Sequence, residues 1–217
     1  DWKHAKEPYG MVHQTFINLP EEKRVRILQS AVDEFIRLPY ERTSINRIVE
    51  NAGIPKGSFY QYFDGKDDLY GYCILSVYRQ LAQIRREAGQ PLLDIGLKRA
   101  TRLGVQETIP LFNAEVGELI GETNQRLLMG LTNVPRQLRN DVLLEVATEL
   151  ILPTVRMELD ADANVPQEVN RDFFAYLLSL GELIAFDYGI LRGRENLGVL
   201  TYQYMDAIYR AFTDRES

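Results

Sequence analysis

The chain has 217 residues, of which 45% are hydrophobic and 26% charged, proportions that suit a globular protein of one or two domains. Its one cysteine, Cys73, excludes an internal disulfide, and no apolar run is long enough for a membrane span or a secretory signal, so a cytoplasmic protein is expected. The net charge of −6 argues against bulk attraction to nucleic acid, but residues 21 to 66 hold eight Lys or Arg against seven Asp or Glu, a net of +1, which leaves −7 elsewhere.

Residues 1 to 20 show no hydrophobic periodicity and contain both histidines, His4 and His13; they read as an N-terminal tail, with Met11 as a start, rather than as a metal site. Asn18-Leu19-Pro20-Glu21 reads as a helix entry with an acidic first turn. That helix is expected to run to about Leu38 and to bury Ile27, Leu28, Ala31, Val32 and Phe35.

Between Ser44 and Ala52 the apolar residues Ile45, Ile48, Val49 and Ala52 mark one face of a short helix, and the Thr43 hydroxyl is placed to cap its first turn. Gly53 can take the left-handed conformation that ends it, and Pro55 presets the first turn of the next. Two short helices on a glycine turn make a helix-turn-helix. In the second, expected over 55–62, Phe59, Tyr62 and Phe63 fall inward and leave Lys56, Gly57, Ser58, Tyr60 and Gln61 outward. This outward set has a cation, an amide, two hydroxyls and a glycine, and no carboxylate. It can approach phosphates closely and offer hydrogen bonds to base edges. An ordinary solvated helix would leave an exposed Tyr60 and an internal Gly57 unexplained.

The motifs ILQSAVDEF, Tyr40, TSINRIVENAGIPKGSFYQYF and KDDLY follow one another in residues 24 to 70, and this segment resembles the DNA-binding domain of the TetR family of bacterial transcriptional regulators. Leu38-Pro39 stands where that family usually has a glycine, so the first helix is expected to end by proline exclusion. The resemblance implies an all-α protein with an N-terminal three-helix reader and a C-terminal helical bundle for ligand binding and dimerisation. It also implies a long helix that connects the two and a four-helix bundle formed with a second subunit.

Asp64-Gly65 closes the reader, and Lys66 opens a helix to about Ala88, with Leu69, Tyr72, Cys73, Leu75, Val77 and Leu81 inward. Lys66 is placed to meet a phosphate together with free backbone N–H groups. Cys73 has no cation-rich setting and reads as a small buried hydrophobe rather than a redox switch. Gly89-Gln90-Pro91 breaks the chain. The expected division is a tail at 1–20, the helix-turn-helix domain at 21–66, the connecting helix at 67–90 and a regulatory domain at 91–217. Within the last, helices are expected near 91–104, 107–131, 136–158, 167–192 and 194–213, with Pro110 and Pro153 bending or dividing theirs.

Gly117 and Gly121, four apart, suit close helix approach, and Phe112, Glu115, Met129 and Tyr176 are the candidate lining of an effector cavity. The carboxylates Glu115, Glu118, Glu122, Glu182 and Asp187 lie among apolar residues and call for solvent, a partner such as Arg126, or a cationic ligand. Residues 173 to 191 are apolar nearly all round, and the last helix carries a stripe. Leu183, Phe186, Leu200, Tyr204 and Ile208 are the candidate dimer interface.

There is no G-x-S-x-G, H-E-x-x-H, G-x-G-x-x-G or phosphate-binding loop, so neither an enzyme nor a cofactor is expected. The expectation is a dimeric, ligand-responsive repressor of transcription, binding a palindromic operator in double-stranded DNA through Thr43, Lys56, Gly57, Ser58, Tyr60, Gln61 and Lys66. The alternative is a helical protein-interaction module that does not bind DNA, which the acidic charge would suit.

Overall fold

Helix boundaries follow the local chemistry closely in the first third of the chain. The computed structural model describes residues 12–88 and 105–161, together with 165, 170–172, 175, 177, 200, 201, 203–205 and 207. The architecture is all-α, with no strand among the described residues. The elements are α1 (Gln14–Ile17), α2 (Glu21–Arg37), α3 (Ile45–Asn51), α4 (Lys56–Phe59), α5 (Lys66–Glu87), α6 (Val105–Met129), α7 (Arg136–Val146) and α8 (Leu152–Ala161). The expected helices at 91–104 and 167–192 lie outside the described residues or largely so. Of the last expected helix, residues 200, 201, 203–205 and 207 are helical.

The chain forms two compact units: Asp1–Val77 with Glu122–Glu145, and Tyr78–Gly121 with Val146–Ser217. This differs from the contiguous division expected from the Gly-Gln-Pro break, because α5 contributes residues to both units and α6 returns to the first after Gly121.

The core of the first unit corrects the expectation of a tail. Val12 and Phe16 are buried, and Phe16 is completely enclosed, 4.8 Å from Phe63 and 5.5 Å from Tyr72 between ring centroids. One aromatic and a four-residue helix are too short to register as periodicity, yet they close the open side of the reader. On α2, Ile27, Ala31, Val32 and Phe35 are buried as expected, whereas Leu28 is half-buried. From Leu69 to Leu75 nearly every α5 side chain is buried, including Tyr70 and Ile74 beyond the expected inward face. Phe16 packs on one part of that surface, and Gly130 lies against Tyr70 on another. Burial pushes the Cys73 thiol far above its ordinary pKa, which suits a packing role and not a redox one.

α2 ends as expected. Leu38 is extended (φ −130°, ψ 152°), as the residue before a proline must be. The sequence gives no sign of Glu34, which is 1% exposed and joins α2 to α3. Its carboxylate accepts the Ser44 N–H at 3.1 Å, receives Arg37, and lies 3.8 Å from the Arg47 guanidinium. Glu34→Gln keeps the shape but removes the charge that both arginines face. It is expected to cost about 1–3 kcal/mol in chemical denaturation, in the range of a charge-assisted hydrogen bond.

In the second unit Leu81, Ile120, Val146, Val155 and Leu159 are buried, and Arg79 forms a two-pronged bond with Glu149 at 2.5 and 2.7 Å. α6 runs through Pro110 and breaks instead at Gly121 (φ 78°, ψ 161°). No described atom lies within 4 Å of a Cβ built at Gly121, so its conformation, and not close helix approach, is what requires glycine. At Pro153 the helical run continues but changes type just before the proline. The residues before it, Ala147–Ile151, form a π turn, which widens the helix where the proline ring would meet the carbonyl of the preceding turn.

Candidate nucleic-acid interface

The connection from α3 to α4 is a Schellman motif. Gly53 sits at φ +63°, its N–H donates to Glu50 O at 3.1 Å, and the Ile54 N–H donates to Val49 O at 3.0 Å. Val49 and Ile54 are both buried and supply the hydrophobic contact of that motif. Arg26 on α2 donates to Ala52 O at 2.9 Å, where a helix C-terminus favours a cation. Pro55 then leads into α4, a single turn rather than the longer helix expected over 55–62. Tight turns continue from it, with Gln61 N donating to Ser58 O and Phe63 N to Phe59 O.

The faces of this segment divide as the spacing predicts. Phe59 and Phe63 are fully buried and Tyr62 nearly so, while Lys56, Gly57, Tyr60 and Gln61 are exposed and Ser58 is half-buried. Lys56 has no hydrogen bond or ion pair among the described residues. Tyr60 is 50% exposed with its ring edge-on to Phe59 at 5.2 Å, so a large aromatic is held at the surface. A Cβ at Gly57 would meet nothing within 4 Å. No internal packing requires glycine there, and the open space faces outward.

Two expected members of the site have other work. Thr43 is buried, and its hydroxyl donates to Tyr40 O at 2.7 Å; it does not cap α3, whose approach is instead held by Glu34. The Lys66 ammonium donates to Tyr40 O at 2.8 Å and lies 4.2 Å from the centre of the Tyr40 ring, so it is engaged inside the domain. Asp67 on the next position accepts from the Tyr40 hydroxyl. Burial, then this bond, raises the pKa of that phenol.

Sequence patterning misses the N-terminal clasp on the reader. The His13 N–H donates to Tyr62 O at 2.8 Å, its Nδ1 lies 3.2 Å from Gln61 O, and its Nε2 lies 2.9 Å from Asp64 Oδ1. Thr15 also donates to Gln61 O. These bonds hold the backbone on which Gln61 is presented. Arg42, exposed just before α3, is a further cation that the outward-face argument passes over. Among the described residues, which do not include His4, no cluster of His, Cys, Asp or Glu is fit for a metal ion.

Comparison with known proteins agrees with this geometry. Residues 27–73 match the family model described as bacterial regulatory proteins, tetR family. Over 108 residues the chain is 27% identical to an uncharacterised HTH-type transcriptional regulator, YhgD, of Bacillus subtilis (strain 168), covering 45% of this chain. The chain thus spans only 56% of the length of that curated relative. Among solved structures, a TetR-family transcriptional regulator from Syntrophomonas wolfei str. Goettingen aligns with TM-score 0.52 and 19% identity over 87% of this chain and 95% of its own. Another, from Chloroflexus aurantiacus J-10-FL, aligns at 0.44 and 21% over 93% and 98%. The former likeness extends the fold beyond the matched segment. The helix-turn-helix and the family match coincide, so residues 27–73 are similar to the DNA-binding segment of bacterial regulatory proteins of the tetR family, and the all-α fold continues beyond them.

Proposed function

We propose that this protein is a transcriptional regulator that reads double-stranded DNA with the 56–61 segment, acting as a dimer on a palindromic operator. The observation that carries the reading is the outward surface of residues 56–61: an unpaired cation, an exposed aromatic, an exposed amide and an open glycine, with no carboxylate among them. Lys56 and Tyr60 position the segment on phosphates, and Ser58 and Gln61 address base edges in the major groove. With Lys23, Arg24, Arg26 and Lys66 all bonded internally, few cations remain for DNA, so placed contacts must outweigh bulk charge.

As a repressor, the protein is released when a small molecule binds the DNA-competent and incompetent states unequally. Of the expected effector residues, Phe112, Glu115 and Tyr176 have side chains outside the described residues, and Met129 is partly exposed on the first unit. Leu183, Phe186 and Ile208 of the proposed dimer interface also lie outside them. Leu200 and Tyr204 are helical and 44% and 64% exposed in the single chain, which supports their covering by a partner.

Titration of labelled DNA from beside its own gene, at several salt concentrations, tests the reading. Gln61→Ala is expected to relax base preference by roughly 1–3 kcal/mol of discrimination. Lys56→Ala should weaken all sequences alike and flatten the salt dependence. An unchanged ranking of single-base operator variants in Gln61→Ala would remove the base-reading role. Absence of binding to any DNA at low salt would favour the helical interaction module, which the acidic charge outside residues 21 to 66 suits.

A further inference from the structure

A cavity of about 870 Å³ lies within the unit that carries the helix-turn-helix. Its walls are the 35–41 segment that ends α2, Tyr70 of α5, and the 125–134 stretch of α6 and the turn after it. The volume is within the span of small-molecule sites, roughly 300–1,000 Å³. Phe35, Leu38, Leu127 and Met129 give it an apolar lining.

Two polar groups in this wall have donors to spare, one buried and one, Arg126, exposed. Tyr70 is 2% exposed, and its hydroxyl has no hydrogen-bond partner. Nearly all buried polar atoms in folded proteins find a partner, because an unpaired one keeps its full desolvation cost. Gly130 stands beside it: a Cβ there would be 3.3 Å from the hydroxyl oxygen, so glycine keeps that side of the phenol open. The second group is Arg126, whose guanidinium donates to Ile36 O at 3.2 Å and retains most of its N–H donors. Arg37 also lines the cavity but is held by Glu34. A cation entering here would face two guanidinium groups against one carboxylate, the exposed Glu41. An anion would find two sets of donors, one of them a phenol with nothing yet to donate to.

We propose that this cavity binds a small apolar carboxylate, its oxygens accepting from the Tyr70 hydroxyl and Arg126 and its body lying against Phe35, Leu38 and Met129. The site deepens the regulator reading and rests on it for any effect on DNA, since the cavity is built on α2 and α5, which also hold the reader in place. The ligand differs in charge from the cation that the carboxylates of the sequence invite. Glu118 and Glu122, two of those carboxylates, are exposed to solvent and need no such partner.

Isothermal titration of the full chain with biphenyl-4-carboxylate, neutral 4-acetylbiphenyl and cationic 4-phenylbenzylamine tests the site. The carboxylate is expected to bind most tightly, the ketone more weakly and the amine not at all. Tyr70→Phe should weaken the carboxylate about 3- to 10-fold, the worth of one hydrogen bond. The same variant, without ligand, should melt at the wild-type temperature or above, because an unpaired buried hydroxyl has been removed. Arg126→Gln should bring the carboxylate down to the affinity of the ketone. The proposal is overturned if the carboxylate shows no saturable binding at millimolar concentration, or binds both variants as it binds the wild type. DNA titration separates the two readings. Bound carboxylate with no DNA bound would defeat the regulator and leave the site standing; bound DNA with no bound carboxylate would do the reverse.

Discussion

Replacing Leu200 and Tyr204 together by glutamate is expected to leave a folded monomer that binds its operator roughly 10²–10⁴-fold more weakly, the advantage that linking two modules gives over either one alone. Both side chains are substantially exposed in the single chain, so the substitutions bury no charge within the subunit. In a dimer seam the same carboxylates would have to be desolvated without a partner. Sedimentation velocity reads the assembly, and circular dichroism reads the helix content that should survive. A dimer that persists in the double variant, with operator binding intact, would place the interface on another surface.

Phe16→Ala is the substitution with the largest expected cost to stability, about 3–5 kcal/mol for an enclosed aromatic cut back to a methyl. Its ring lies among Tyr62, Phe63 and Tyr72, so the loss opens a void that joins the reader to α5. Chemical denaturation gives the magnitude. The same variant should bind DNA less well, because α1 lies between the bonds that His13 and Thr15 make to the Gln61 and Tyr62 carbonyls and the aromatic core beneath them. His13→Ala separates these effects: His13 is partly exposed, so stability should change little, while the Gln61 backbone loses one of its holds. If residues before Pro20 were a dispensable tail, neither variant would change anything.

Reading the reader segment from its sequence succeeds where conformation is set locally. Gly53 at positive φ, Leu38 held extended by Pro39 and the inward spacing of Phe59 and Phe63 each follow from constraints within a few residues. The outward set of Lys56, Gly57, Tyr60 and Gln61 is legible for the same reason, since a helical turn whose aromatic face is buried leaves the other face exposed. Thr43 and Lys66 fail the same test. A hydroxyl or an ammonium can find several partners, and the Tyr40 carbonyl, supplied by a neighbouring turn, reaches both.

What the sequence determined by itself is therefore the helix-turn-helix, its outward face and the all-α class, because these rest on periodicity, on glycine and proline conformations and on the order of short motifs. Tertiary structure alone decided the rest. It brought Phe16 under the reader across a separation that no periodic pattern spans, and it buried Glu34 where Ser44, Arg37 and Arg47 could all meet it. It returned residues 122 to 145 to the first unit through a break at Gly121, so that Gly130 came to stand beside Tyr70 and Arg126 to line the same cavity. Such pairings depend on where the chain turns and which surfaces meet, and the free energy that selects them is the burial of apolar side chains from distant parts of the chain.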